Sequence, residues 1–134
     1  MKKKQKSLTP LGETEMEVLH HVWALGEATV ADVRARILRE RDVAYTTVMT
    51  VLRNLAEKGY LRCNSEGVTY VYSAARPPEE VRHSLLKSLM SKVFDGSPGE
   101  LVQTLIRNER LSESERAELR QLINQMEDDD ANAV

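Results

Sequence analysis

Residues 44–59, AYTTVMTVLRNLAEKG, constrain what this chain can become more than any other stretch. Val48, Val51, Leu52 and Leu55 recur at i, i+3, i+4 and i+7, a spacing that on a helix gathers all four in one narrow arc facing a core. Opposite them fall Thr46, Met49, Thr50 and Arg53, with Thr47 and Asn54 flanking. A solvated helix would carry Glu and Lys there. Short hydroxyls and one long cation instead allow close approach to a surface and hydrogen bonds to phosphates or base edges. Five residues between Thr46 and Val51 are β-branched, so propensity alone also permits a strand. Strict alternation is absent, and Gly59 follows Lys58 as a helix-ending glycine would, which favours the helix. A purely structural role for the Thr-rich face stays open on this stretch alone.

At 134 residues the chain can hold one ordinary core, or a small domain with an appendage. Aromatics make up 4% and charged residues 30%, so the core must be mostly Leu, Val and Ile. No apolar run reaches membrane-spanning length, and the basic start is followed by Ser7, Leu8 and Thr9 rather than an apolar signal core. No membrane insertion and a cytoplasmic location are therefore expected. The single Cys63 can form neither an internal disulfide nor a thiolate metal cluster. Gly-rich phosphate loops, nucleophile elbows and metal-spaced His or Cys pairs are missing, so no catalytic residue, cofactor or metal is expected and the enzyme class is set aside. The net charge of −2 splits unevenly: residues 1–62 carry 11 Lys or Arg against 8 Asp or Glu, and residues 63–134 carry 8 against 13. That asymmetry fits a nucleic-acid-facing module joined to one with another task.

In chain order, Lys2, Lys3, Lys4 and Lys6 form a basic arm, and Thr9 with Pro10 provides a helix start. Leu11, Val18, Leu19, Val22, Trp23 and Leu25 form the buried stripe of the first helix, which Gly26 ends. Glu15 sits on the stripe's edge and needs a partner, with an arginine of a neighbouring helix as the candidate. Thr29 and Asp32 form a capping box for a second helix, whose Val30, Val33 and Ile37 share a face. Through Asp42 and Val43 it leads into the Ala44 helix, completing a helix-turn-helix. The period then alternates: 60–64 reads as a strand, 65–67 as a turn and 68–74 as the returning strand. Three helices and a hairpin make a winged helix, with Arg62 placed to reach a phosphate.

Pro77 and Pro78 open a second, helical part. Its first helix carries Val81, Leu85 and Leu89 and stops at Gly96. Ser97, Pro98 and Glu100 cap a second helix bearing Leu101 and Leu105, and Ser112 with Glu115 caps a third bearing Leu119, Leu122, Ile123 and Met126. Three helices with wide apolar faces and no sheet to cover them predict pairing with a second copy. Asp128, Asp129 and Asp130 read as a solvated tail rather than a metal site. The expected organisation is mainly α with a small β-hairpin wing: a winged-helix domain over 1–76, a helical dimerisation domain over 77–127 and a flexible acidic tail over 128–134.

Taken together, LGETEMEVLHHVW, AYTTVMTVLRNLAEKGYL, VTYVYSA and LVQTLIRNERLSESERAELRQLINQ resemble the BlaI/MecI/CopY penicillinase-repressor family, from about Leu8 to about Met126. The resemblance implies a homodimeric winged-helix repressor that binds a palindromic double-stranded operator and dimerises through its C-terminal helices. It places operator contacts on Thr46, Thr47, Met49, Thr50, Arg53 and Asn54, with Met49 standing where the staphylococcal repressors have arginine. The copper-sensing members end in a C-x-C…C-x-C cluster, which a chain with one cysteine lacks. In the penicillinase repressors, induction is proteolysis at an Asn-Phe bond, and the matching position here is Thr104–Leu105, which makes a sensor or regulatory protease a candidate partner. Two other readings stay open: a small-molecule-responsive winged-helix regulator, and a winged helix used for protein contacts without DNA.

Overall fold

The computed structural model describes residues 11–132. Within them the order is α1 (Glu13–Leu25), β1 (Glu27–Ala28), α2 (Val30–Ile37), α3 (Tyr45–Glu57), β2 (Leu61–Asn64), β3 (Val71–Ala74), α4 (Pro78–Val93), α5 (Pro98–Asn108) and α6 (Glu113–Asn132). The strands form one antiparallel sheet in the order β1-β3-β2, with Glu27 opposite Ser73 and Cys63 opposite Tyr72. A helix-turn-helix backed by a short sheet is a winged helix, as the sequence pattern predicts.

Local chemistry explains where each element begins and ends. The α1 helix starts at Glu13, because Glu15 Oε1 accepts the Gly12 amide at 3.1 Å; the predicted start at Thr9 and Pro10 lies outside the described residues. At α2 both halves of the capping box form, with Thr29 and Asp32 exchanging bonds of 3.0 and 3.1 Å. Arg34 Nε then donates to Val43 O at 3.0 Å and ties the link that leads into α3. At the far end of α3, Gly59 takes φ +90°, a left-handed value that costs a side-chain-free residue little. Gly59 and Tyr60 amides reach back to Ala56 O and Leu55 O at 3.1 and 2.9 Å, closing a Schellman turn whose flanking Leu55 and Tyr60 are both buried. That turn aims the chain into β2.

The core collects Val18, Leu19 and Val22 of α1, Val33 and Ile37 of α2, Val48, Leu52 and Leu55 of α3, Tyr60 of the turn that follows, and Leu61 and Tyr72 from the sheet. Leu25, expected in the α1 stripe, stands exposed at the helix end. Glu15 finds its partner in Lys58 at 2.8 Å, the lysine at the C-cap of α3, rather than in the expected arginine. Burial raises the Glu15 pKa, but the Lys58 hydrogen bond, the Gly12 amide and the Lys58 charge together outweigh it and hold the carboxyl below its ordinary value.

The coordinates depart from the sequence expectation elsewhere as well. The strand β1 was not expected, and the returning strand begins at Val71, leaving 65–70 as a longer wing turn. Val81 is fully buried in the winged-helix core and Leu85 packs against that core, so Val81 serves this core and cannot face a second copy. The chain divides into two compact units after Leu89, within α4. The α6 helix continues to Asn132, so most of the stretch expected as a flexible tail is helical.

The second unit contains the last turn of α4, α5 and α6. Ser97 Oγ accepts the Glu100 amide at 3.2 Å, but the Ser97 amide bonds Phe94 O instead of the Glu100 carboxylate, so that capping box is half made. Ser112 and Glu115 make both halves, at 3.0 and 3.1 Å.

Because the Glu15 pKa is depressed in the folded state, its contribution is present above the unfolded carboxylate value of about 4.3 and is lost as pH falls through the folded value. Glu15→Gln is expected to lower stability at pH 7 by about 1–3 kcal/mol. In urea melts across pH, the gap to the parent protein should close below about pH 4.

Candidate nucleic-acid interface

The α3 helix has two unlike faces. Val48, Leu52 and Leu55 are at most 1% exposed and lock one face into the core, whereas Thr46, Thr47, Thr50, Arg53 and Asn54 are exposed on the other. Among the described residues, the three threonine hydroxyls make no intramolecular hydrogen bond and Arg53 makes no salt bridge. Met49, expected on the free face, is half-buried against the core and sits at its rim.

The start of α3 is also unusual for this chain. Ala44 offers no side-chain cap, and the first turn holds no acidic residue. Each of the other five helices carries Asp or Glu in its first turn. The positive end of the α3 dipole and its free amides are thus left uncompensated, the arrangement that favours a phosphate.

The neighbouring cations sort into two groups. Arg34 is held by Val43 O, Arg36 Nε donates to His21 Nδ1 at 3.0 Å, Arg41 pairs with Glu17, and Lys58 pairs with Glu15. Burial and the Arg36 charge both push the His21 pKa down, keeping Nδ1 free to accept. Glu17 is held below its ordinary value chiefly by the Arg41 hydrogen bond. Arg53 on α3 and Arg62 on β2 are exposed and form no such pair among the described residues. Among the described residues the available cations thus include Arg53 on the third helix and Arg62 on the wing, and Arg39 just past α2 is likewise exposed without an ion pair.

Between α3 and the wing runs a groove of about 290 Å³, lined in part by Tyr45, Met49, Arg53, Tyr70 and the buried Tyr72. No group of three or more His, Cys, Asp or Glu among the described residues is placed to hold a metal. Among the described residues, this surface combines uncovered hydroxyls, a guanidinium without an ion pair and open helix amides, groups whose chemistry suits a polyanion. Residues 11–125 match the profile of the family described as penicillinase repressor.

The chain belongs to the penicillinase-repressor family. It is thereby a DNA-binding transcriptional repressor and not an enzyme. It is 25% identical over 114 residues to the methicillin resistance regulatory protein MecI of Mammaliicoccus sciuri, covering 85% of this chain and 93% of that one. It is 34% identical over 89 residues to the transcriptional regulator BlaI of Mycobacterium tuberculosis, covering 66% and 64%. Among solved structures, the monomeric form of Bacillus licheniformis BlaI in complex with the blaP half-operator is similar at 22% identity and TM-score 0.47, over 55% of this chain and 89% of that one.

For this repressor, the structure brings Thr46, Thr47, Thr50, Arg53 and Asn54 onto one exposed face of α3, while Arg62 stands on the wing strand β2. The lysines of the N-terminal arm lie outside the described residues. Sequence reasoning gave no role to Tyr45, Val68 and Tyr70, which the structure exposes around the same helix and wing. Tyr45 lies near the edge of the apolar arc, where periodicity marks it as core; as the first residue of α3 it has no preceding turn to cover it.

Adjacent residues of α3 should then respond in opposite ways. Leu52→Ala is expected to lose about 2–5 kcal/mol of unfolding free energy, whereas Arg53→Ala should change it by less than about 0.5 kcal/mol. Urea denaturation of the two variants checks the contrast.

Proposed function

We propose that the protein acts in the cytoplasm as a homodimer on a palindromic operator, one α3 helix entering a major groove in each half-site. Thr46, Thr47, Thr50, Arg53 and Asn54 meet base edges and nearby phosphates, and Arg62 holds backbone phosphate from the wing. The observation that carries this reading is the α3 face itself, with its uncovered hydroxyls, unpaired Arg53 and uncapped N-terminus.

Support for dimerisation comes from what the second unit leaves uncovered. The α5 helix is amphipathic yet buries no residue. Val93, Val102, Leu105, Ile106, Leu122, Ile123 and Met126 are all more than 40% exposed, far more apolar surface than so small a unit can leave in water. Leu101 and Leu119 are half-buried beside them, and in the first unit Leu89 is also exposed. A recess of about 650 Å³ lined by Ile106, Leu111, Leu119 and Ile123 would receive partner side chains. Val81, buried elsewhere, takes no part.

Pairing raises affinity because the second half-site is bound from a tethered state, a gain of roughly 10² to 10⁴. A signal that opens the pair therefore releases DNA. Proteolysis at Thr104–Leu105 would act this way, but the bond lies inside α5, where Thr104 Oγ1 donates to Glu100 O at 2.9 Å and Asn108 Nδ2 donates to Thr104 O at 2.8 Å. That turn must unwind before a protease can take it.

Sedimentation at micromolar concentration is expected to give a dimer. Leu105→Glu with Ile123→Glu should yield a folded monomer whose operator affinity falls by roughly 10² to 10⁴. In gel shifts over a salt series, Arg53→Ala is expected to cost about 1–3 kcal/mol if it reads a base, or to lower the salt slope by about one if it only holds phosphate. An unchanged affinity and slope would remove Arg53 from the interface.

A further inference from the structure

The exposed face of α3 is short of groups that can hold two atoms of one base. Thr46, Thr47 and Thr50 each offer a single hydroxyl and Met49 a thioether, which leaves Arg53 and Asn54 for bidentate contacts. Hydrogen bonding from α3 can specify few positions.

The same region presents carbon to solvent. Before Pro77, five large apolar side chains are at least 40% exposed among the described residues, and three of them, Tyr45, Val68 and Tyr70, lie at the start of α3 and on the wing turn. Tyr45 and Tyr70, 48% and 57% exposed, line one groove with Met49 and Arg53. Tyr45 is also the first residue of α3, and it is the N-terminal residues of a recognition helix that reach base edges. In the major groove those edges carry one apolar group, the C5-methyl of thymine.

We propose that Tyr45, Met49 and Tyr70 form an apolar lip beside α3 that selects thymine through its C5-methyl group. The inference rests on the repressor reading above and adds which base is read without a hydrogen bond. A duplex, rather than a protein, is the occupant because the lip is continuous with the unpaired Arg53 and adjoins the uncapped end of α3, both suited to a polyanion.

The test selects duplexes from a random-sequence pool with the full chain, then remakes the enriched duplex with deoxyuridine in place of thymidine. Pairing is kept and only the methyl groups are lost. The parent protein is expected to bind the uracil form about fourfold more weakly for each methyl buried. Tyr45→Ala and Tyr70→Ala should bring the two affinities together, and Tyr45→Phe, which keeps the ring, should preserve the difference. Equal affinity of the parent protein for both duplexes, or enriched duplexes without thymine, overturns the proposal while leaving the repressor reading intact. So does a difference that both alanine variants retain. Enrichment of no duplex at all overturns both.

Discussion

Everything in the first unit depends on how firmly one face of α3 is held. Val48, Leu52 and Leu55 are sealed among side chains from α1, α2 and the sheet, and the Schellman turn at Gly59 fixes where the helix stops. A helix anchored this way cannot rotate to hide its other face. Hydroxyls, Arg53 and open amides are thus presented at a fixed angle before any partner arrives, so little ordering entropy is lost on binding. The Lys58–Glu15 pair adds to this by joining the end of α3 to the start of α1 across the core edge.

Charge distribution follows the same division of labour. Arg34, Arg36 and Arg41 near α1 and α2 are occupied by Val43 O, His21 and Glu17, which shape the scaffold, while Arg53 on α3 and Arg62 on the wing form no ion pair among the described residues. The chain's net charge of −2 hides this, because function resides in where partners are missing rather than in the sum. In the second unit the exposed groups are apolar instead, with Val102, Leu105 and Ile106 of α5 and Leu122, Ile123 and Met126 of α6 open to solvent.

Much of this was legible in the sequence where local rules suffice. The i, i+3, i+4, i+7 pattern located the buried face of α3, and Thr29 with Asp32 located the start of α2. What escaped depends on contacts distant in sequence. Glu27–Ala28 is too short to show alternation and becomes a strand only because β3 pairs with it. The Pro77–Pro78 pair looked like a boundary, but proline at the first position of α4 starts a helix whose Val81 completes the preceding core. Tyr45 was overlooked because periodicity assigns faces and does not register that a helix end lacks a covering turn.

The account turns on the exposed side of α3 entering duplex DNA. Backbone amide shift mapping during titration with a selected operator duplex tests this most directly. The account predicts the largest shifts for residues 45–54 of α3 and for 61–70 of the wing. Unperturbed amides across α3, with the duplex bound and shifts concentrated elsewhere, would contradict it.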